Sequence, residues 1–391
     1  MIKTDDIRSF YLIQKPSYNR VLYSGGKVTI QEICSFFDIG GKYVGCKELS
    51  TGIINSTYHV EYIRDGERKD YIVQKINKTV FKNPKKLMDN IVRVTEYIRG
   101  NVILNELSTK RFVLRAFVTK KDRKPYWKDD TGEYWRVYRY IKNSITYDAT
   151  DNLRIIQRVG QAFGRFQDFL DGFNAKTLYV TIPDFHNTPK RYKAFRAAIK
   201  KDPKKRVKWV AKEIEDLNFY EERASLLQRY LDEGRLPLRV THNDTKCNNV
   251  TFDKDTDEAL AVLDLDTVMP GAVAYDFGDA IRFIANNALE DDPDTEKVSL
   301  NLKKYEAFTK GFITELKEDL TSFEKKTMNL GVFTMTVELA VRFLTDYING
   351  DKYFKTKYPG HNLDRARNQI ALAKDILRKT DDIDKILAKY I

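Results

Sequence analysis

Cysteine is scarce: the 391 residues hold three, Cys34, Cys46 and Cys247. They are far apart and form no CxxC pair, so neither a disulfide framework nor a zinc knuckle is indicated, and a reducing compartment fits best. No uninterrupted apolar stretch reaches membrane-spanning length. Met1-Ile2-Lys3-Thr4-Asp5-Asp6-Ile7-Arg8 also puts acids where a secretory signal needs an apolar run. The expectation is a cytoplasmic protein, monomeric and without a membrane partner. The phosphate-binding signatures of Rossmann and P-loop proteins are missing as well. There is no G-x-G-x-x-G, and Gly25-Gly26-Lys27-Val28 lacks the upstream Gly and the Ser or Thr of a Walker A loop. Internal repeats and low-complexity tracts are absent.

Acids are outnumbered, 56 Asp and Glu against 68 Lys and Arg, for a net charge of +12, a balance that suits an anionic partner. The basic runs Lys120-Lys121-Asp122-Arg123-Lys124 and Lys200-Lys201-Asp202-Pro203-Lys204-Lys205-Arg206 are each interrupted by an acid and flank no nucleic-acid-binding motif. They read as solvated surface, and no nucleic-acid partner is expected. With 42% apolar and 32% charged residues the chain should fold, and its length exceeds what one core usually serves, so two lobes sharing a cleft are expected.

Residues 1–22 lack sustained periodicity and read as an extension. A short helix is expected over Val28–Phe37, stopped by Gly40-Gly41. Strands follow at Tyr58–Ile63, Asp70–Ile76, Arg111–Thr119 and Tyr134–Ile141, with Asp65-Gly66 as a hairpin turn. Leu87, Ile91, Val94 and Ile98 mark an amphipathic helix over Pro84–Arg99. Past about residue 145 the pattern becomes helical, over Arg154–Phe173 and near 207–232, 301–319, 323–348 and 362–379. Only two strand-like runs interrupt it, Leu238–Thr241 and Ala259–Leu263. The expected fold is α+β and bilobal, protein-kinase-like, with a β-rich lobe over 23–141 and a mainly helical lobe over 142–391.

Both strand-like runs lead into acidic polar clusters. The first opens Thr241-His242-Asn243-Asp244-Thr245-Lys246-Cys247-Asn248-Asn249, which has the H-x-D-x-x-x-x-N spacing of a kinase catalytic loop. There the Asp faces the acceptor hydroxyl as base and the Asn oxygen reaches Mg²⁺, roles that fall to Asp244 and Asn249. The second run ends in Leu263-Asp264-Leu265-Asp266, where the pattern requires its second metal-binding Asp. Asp264 is the better candidate of the pair, while Asp266 either lines the substrate side or is a solvated loop acid. Asp276 and Asp279 suit a structural role, holding backbone N–H groups of the loop.

For the phosphates of ATP, Ser50-Thr51-Gly52-Ile53-Ile54-Asn55 precedes a strand and fits a covering turn, or an ordinary hairpin. Lys75 stands where kinases carry the Lys that pairs with the α- and β-phosphates, although a surface lysine is the plainer reading. Glu96 is the one Glu on Pro84–Arg99 able to pair with it.

These residues resemble the aminoglycoside phosphotransferase and choline kinase superfamily, and within it the bacterial N-acetylhexosamine 1-kinases. The resemblance runs from about Lys47 to Leu372. It is carried by Tyr71–Asn77, Ala162–Leu170, Arg239–Lys246, Asp264–Pro270, Tyr275–Phe283 and Val341–Tyr347. It implies ATP and Mg²⁺ as cofactors, a small sugar as acceptor, and Arg342, Phe283 and Tyr353 near that sugar. The chain departs from the family at Lys75 and Ile53, where the hexosamine kinases carry Arg and His. Apart from the resemblance, Phe283 reads equally as a core aromatic and Arg342 as a surface-paired cation. If the segment 342–367 lines the acceptor site, its cations would repel a polyamine and suit a neutral hydroxylated ring.

Overall fold

The computed structural model describes residues 28–49, 54–104, 114–316 and 318–391. The expected extension at 1–22 and the Ser50-Thr51-Gly52 turn lie outside the described residues. The described residues form two compact units, one of those up to Pro84 together with Arg115–Lys142, the other of those within Lys85–Leu114 and Asn143–Ile391.

The first unit begins with α1 (Ile30–Ser35), closed at its start by a capping box. Thr29 Oγ1 accepts the Glu32 N–H and Glu32 accepts the Thr29 N–H, so two otherwise orphaned donors are satisfied reciprocally. Then come β1 (Lys42–Leu49), β2 (Ser56–Arg64) and β3 (Glu67–Ile76). The hairpin expected at Asp65-Gly66 joins β2 to β3, with Arg64 opposite Glu67 and both turn residues at positive φ, 53° and 77°, the signature of a two-residue turn matched to strand twist. After α2 (Pro84–Leu104), which groups with the second unit, β4 (Trp127–Lys128) and β5 (Tyr134–Arg139) complete an antiparallel sheet in the order β1-β2-β3-β5-β4. Ile30, Ile33 and Cys34 bury against Val60, Val73, Trp135 and Val137 of that sheet. The strand expected over Arg111–Thr119 does not form as such. Its first three residues lie outside the described ones, and the rest make only the isolated bridges Ala116 to Tyr138 and Thr119 to Phe37.

The second unit is mainly helical. In chain order it holds β6 (Ser144–Ile145), α3 (Leu153–Asp168), α4 (Thr188–Lys201), α5 (Ala211–Ala224), α6 (Leu226–Asp232), β7 (Arg239–Thr241), β8 (Val250–Asp253), β9 (Ala259–Val262), β10 (Met269–Gly271), α7 (Val273–Ile284), α8 (Leu302–Leu316), α9 (Ser322–Asn349), α10 (His361–Arg378) and α11 (Thr380–Leu387). More strands interrupt it than expected: β7 pairs with β10, and β8 pairs with both β6 and β9. α3 packs on α8, while α7 and α10 pack on α9.

The crossing of α7 and α9 brings backbone against backbone. A Cβ on Gly331 would stand 2.1 Å from the Ala274 carbonyl oxygen, and one on Gly278 would stand 2.2 Å from the Gly331 oxygen. Gly331→Ala is therefore expected to destabilise the protein by about 1–3 kcal/mol through overpacking, read as a lowered midpoint in a urea melt.

Cys34, Cys46 and Cys247 are buried and unbridged, as their spacing suggested. Burial pushes the Cys34 and Cys247 thiols up to about 12, so neither is a ready nucleophile. No helix among the described residues is long and apolar enough to cross a membrane.

Candidate active site

β7 and β10 place the two ends of a polar loop. Thr241 pairs with Met269 across the ladder and its hydroxyl donates to the Met269 carbonyl at 2.9 Å. From there His242–Lys246 runs through irregular backbone, whose N–H groups need partners outside a ladder, before a 3₁₀ turn at Cys247–Asn249. Asp276, in the first turn of α7, takes the His242 N–H on one oxygen at 2.8 Å and the Asn243 N–H on the other at 2.7 Å. Gln167 of α3 adds a third donor at 2.7 Å. Burial pushes the Asp276 carboxyl upward, while His242 and these N–H groups favour its charged form. Asp279, one turn on, accepts the Thr245 N–H at 3.2 Å. The structural role expected of both acids is thus visible in their bonds.

His242 is fully buried, its ring edge-on to Phe163 and Phe166. Its Nε2 donates to the Leu263 carbonyl at 2.8 Å and its Nδ1 accepts the Asp244 N–H at 3.3 Å. Leu263 in turn donates its N–H to the Asn249 carbonyl at 2.7 Å. Because Val250 of β8 pairs with Val262 of β9, Asn249 and Asp264 stand beside neighbouring strand ends, tied through Leu263. Asp264 is exposed and adopts left-handed backbone, φ 55°. Asp266 is only 2% exposed, which removes the reading of it as a solvated loop acid.

Asp244 is gripped from both sides. Its Oδ1 lies 2.8 Å from Lys246 Nζ, and its Oδ2 accepts from Asn249 Nδ2 at 3.2 Å. Burial would raise its pKa, but Lys246, His242 and Asn249 outweigh it and hold the carboxyl below the ordinary aspartate value. The Asp244 carboxylate, against the cost of burial, holds the Lys246 ammonium above the ordinary lysine value, with Glu290 and Asp279 adding to it. Those two acids also flank Arg282, at 2.5 and 2.9 Å. The sequence motif did not single out Lys246, because a lysine in a polar loop carries no signal until its neighbour is known.

The other expected residues are more dispersed. Arg342 of α9 lies between the Phe185 and Phe354 rings, at 5.2 and 5.5 Å. Tyr353 is 64% exposed, packs its ring on Phe354 and donates its N–H to Asp346 at 2.9 Å. Phe283, half-buried on α7, has the Arg282 guanidinium over its ring. In the first unit Lys75 is half-buried on β3, opposite Ser56 and Trp135. Glu96 on α2 is exposed and bonded to Arg99 at 3.2 Å.

Solved structures share this fold. The chain is similar to a microcompartment-associated aminopropanol kinase at 14% identity and TM-score 0.56, covering 90% of this chain and 97% of that one. A spectinomycin phosphotransferase in complex with ADP and spectinomycin matches at 10% identity and TM-score 0.56, over 89% and 97% of the two chains. A choline kinase from Cryptosporidium parvum matches at 13% identity and TM-score 0.55, over 91% and 96%. At such identities the likeness is one of fold, the α+β kinase-like fold expected from the sequence. Residues 45–306, more than half of the chain, match the phosphotransferase enzyme family (APH), and the chain belongs to that family.

Proposed function

We propose that the chain transfers the γ-phosphoryl group of ATP to the anomeric hydroxyl of an N-acetylhexosamine, with Asp244 as base. The observation that carries phosphoryl transfer is the Asp244 carboxylate, fixed between Lys246 and Asn249 on a loop tied down by Asp276. A carboxylate held charged and aimed in this way can orient a hydroxyl and accept its proton late, as the loose transition state of phosphoryl transfer allows.

The residues also fit Mg²⁺. Asn249 directs its side-chain amide N–H groups at Asp244, and no described residue donates to its side-chain oxygen Oδ1. That oxygen and the exposed Asp264 carboxylate are the hard ligands that would hold the ion. When bound, Mg²⁺ neutralises charge on the phosphate oxygens. Lys75 is proposed to pair with the α- and β-phosphates, and Ser50-Thr51-Gly52 to cover them.

For the acceptor, the choice lies between a neutral sugar and cationic molecules such as the aminopropanol and choline of similar proteins. Burial first, and then the nearby Arg342, holds the Arg191 guanidinium below its ordinary value, and two neighbouring guanidiniums would disfavour a protonated amine bound beside them. Among the described residues none accepts a hydrogen bond from the Arg342 guanidinium, which leaves its donors for ring hydroxyls, with Phe283, Tyr353 and the buried Asp266 as further proposed contacts.

The test is ATP consumption with N-acetylglucosamine, N-acetylgalactosamine, glucose, choline and kanamycin, with phosphorus NMR of the product. An N-acetylhexosamine should be preferred and give an acid-labile glycosyl phosphate. Preference for choline or kanamycin, or an acid-stable 6-phosphate, would overturn the acceptor assignment. ATP binding without turnover of any acceptor would favour an inactive nucleotide-binding protein.

A further inference from the structure

Two of the four histidines grip opposite ends of one peptide unit. The Asn243–Asp244 peptide gives its N–H to His242 Nδ1 at 3.3 Å, and its carbonyl oxygen faces His186 Nε2, also at 3.3 Å. A peptide unit is planar, so holding both ends fixes its rotation and with it the direction in which the Asp244 side chain leaves the backbone. The restraint matters because Asn243 sits at φ 65°, in the left-handed region that residues with side chains seldom adopt. The donors of Asn243 are already committed, its N–H to Asp276 and its side-chain NH₂ to the Thr241 and Thr267 carbonyls.

His186 lies just before α4 and is 8% exposed, and its Nδ1 stands 2.8 Å from Oε1 of Glu338, a residue of α9 that is fully buried. The other Glu338 oxygen takes the Thr188 hydroxyl at 2.7 Å. A carboxylate and a carbonyl only accept, so with both bonds made the imidazole donates from both nitrogens and Glu338 supplies the balancing charge. Arg342 and Arg191 also face Glu338, and the Tyr275 ring lies 5.4 Å from the His186 ring. Complete burial would raise the Glu338 carboxyl, but His186 first, then the two guanidiniums, hold it below the ordinary glutamate value.

We infer that His186, anchored by Glu338, is a positioning residue that sets the orientation of Asp244 from the α4–α9 side. The inference rests on the reading of Asp244 as the base. It predicts a difference between two substitutions of similar polarity. Asn at 186 carries an amide where Nδ1 stands and keeps the Glu338 bond, whereas Gln reaches the Nε2 position and keeps the bond to the Asn243 carbonyl. His186→Asn should lower kcat by about ten- to a hundredfold, the scale of a misplaced reacting group, with KM for acceptor and for ATP held within about twofold. His186→Gln should recover most of that loss, even though it leaves the buried Glu338 without its imidazole partner and should melt no higher than the Asn variant.

A second measurement does not depend on turnover: nitrogen NMR of the wild-type imidazoles at neutral pH should show His186 protonated on both ring nitrogens. Equal kcat in the Asn and Gln variants, a loss confined to KM, or a His186 ring protonated on one nitrogen only would each overturn the inference. A wild-type chain that consumes no ATP with any acceptor counts instead against the kinase reading, and the NMR result then still decides whether His186 donates to both partners.

Discussion

Replacing Asp244 by Asn is expected to lower kcat by about two to four orders of magnitude while ATP affinity stays within about twofold. The substitution keeps the shape of the side chain and removes its capacity to take a proton. It should also leave the loop intact. Asp276 still holds the His242 and Asn243 N–H groups, and Lys246 keeps Glu290 and Asp279 as neighbouring acids. Asp244 gives this prediction a pH signature. Its folded pKa is lowered, so it remains a carboxylate at neutral and mildly acidic pH and loses its charge only as pH falls through that lowered value. The acidic limb of kcat in the wild type should therefore lie below the ordinary aspartate range, and the Asn variant should lack it. Steady-state kinetics with a calorimetric ATP titration checks both halves. Near-wild-type turnover would remove Asp244 from the role of base.

What could be read from the sequence follows from whether a signal is local. The hairpin at Asp65-Gly66 was legible because a two-residue turn with positive φ has few residue solutions. β1 was not, since its burial follows no alternation and a bulge between Tyr43 and Gly45 shifts its register. α4 hides its buried Tyr192, Phe195 and Ala198 among lysines and arginines. α7 carries Asp276, Asp279 and Arg282 at three-residue steps along one face, but that face is buried like the rest, so the polar period does not mark a solvent side. The region near 207–232, expected as one helix, is α5 and α6, joined at Ser225.

At the candidate site, the meeting of Asp244 and Asn249, bonded at 3.2 Å, was legible because the loop geometry sets their spacing. His186 and Glu338 meet across 152 positions of sequence, and no spacing rule reaches that far. One signal was present in hindsight: Glu338 is the lone charged residue in the run Val332–Val341 of α9, and a buried acid needs a partner.

The second large effect is expected at a residue that need never touch a substrate. Asp276→Ala removes the acceptor of two buried backbone N–H groups, those of His242 and Asn243, and of the Gln167 amide. Each buried donor left unpaired costs about 1–3 kcal/mol, so the two N–H groups alone put about 2–6 kcal/mol at stake, a large part of the about 5–15 kcal/mol that holds a typical domain together. The loop can relieve that cost only by turning these groups toward water, which carries Asp244 away from Lys246 and Asn249. Turnover should fall at least about a hundredfold, and the melting midpoint should fall with it. Asp276→Asn keeps the shape and one oxygen, so one N–H stays satisfied while the other meets an amide donor. It should lie between the wild type and the Ala variant in both measurements. That joint fall separates the two aspartates, because Asp244→Asn should lose turnover with its stability nearly unchanged. An Asp276→Ala protein that melts like the wild type and keeps its kcat would show that the loop holds its shape without α7, and the account of how Asp244 is aimed would fail with it.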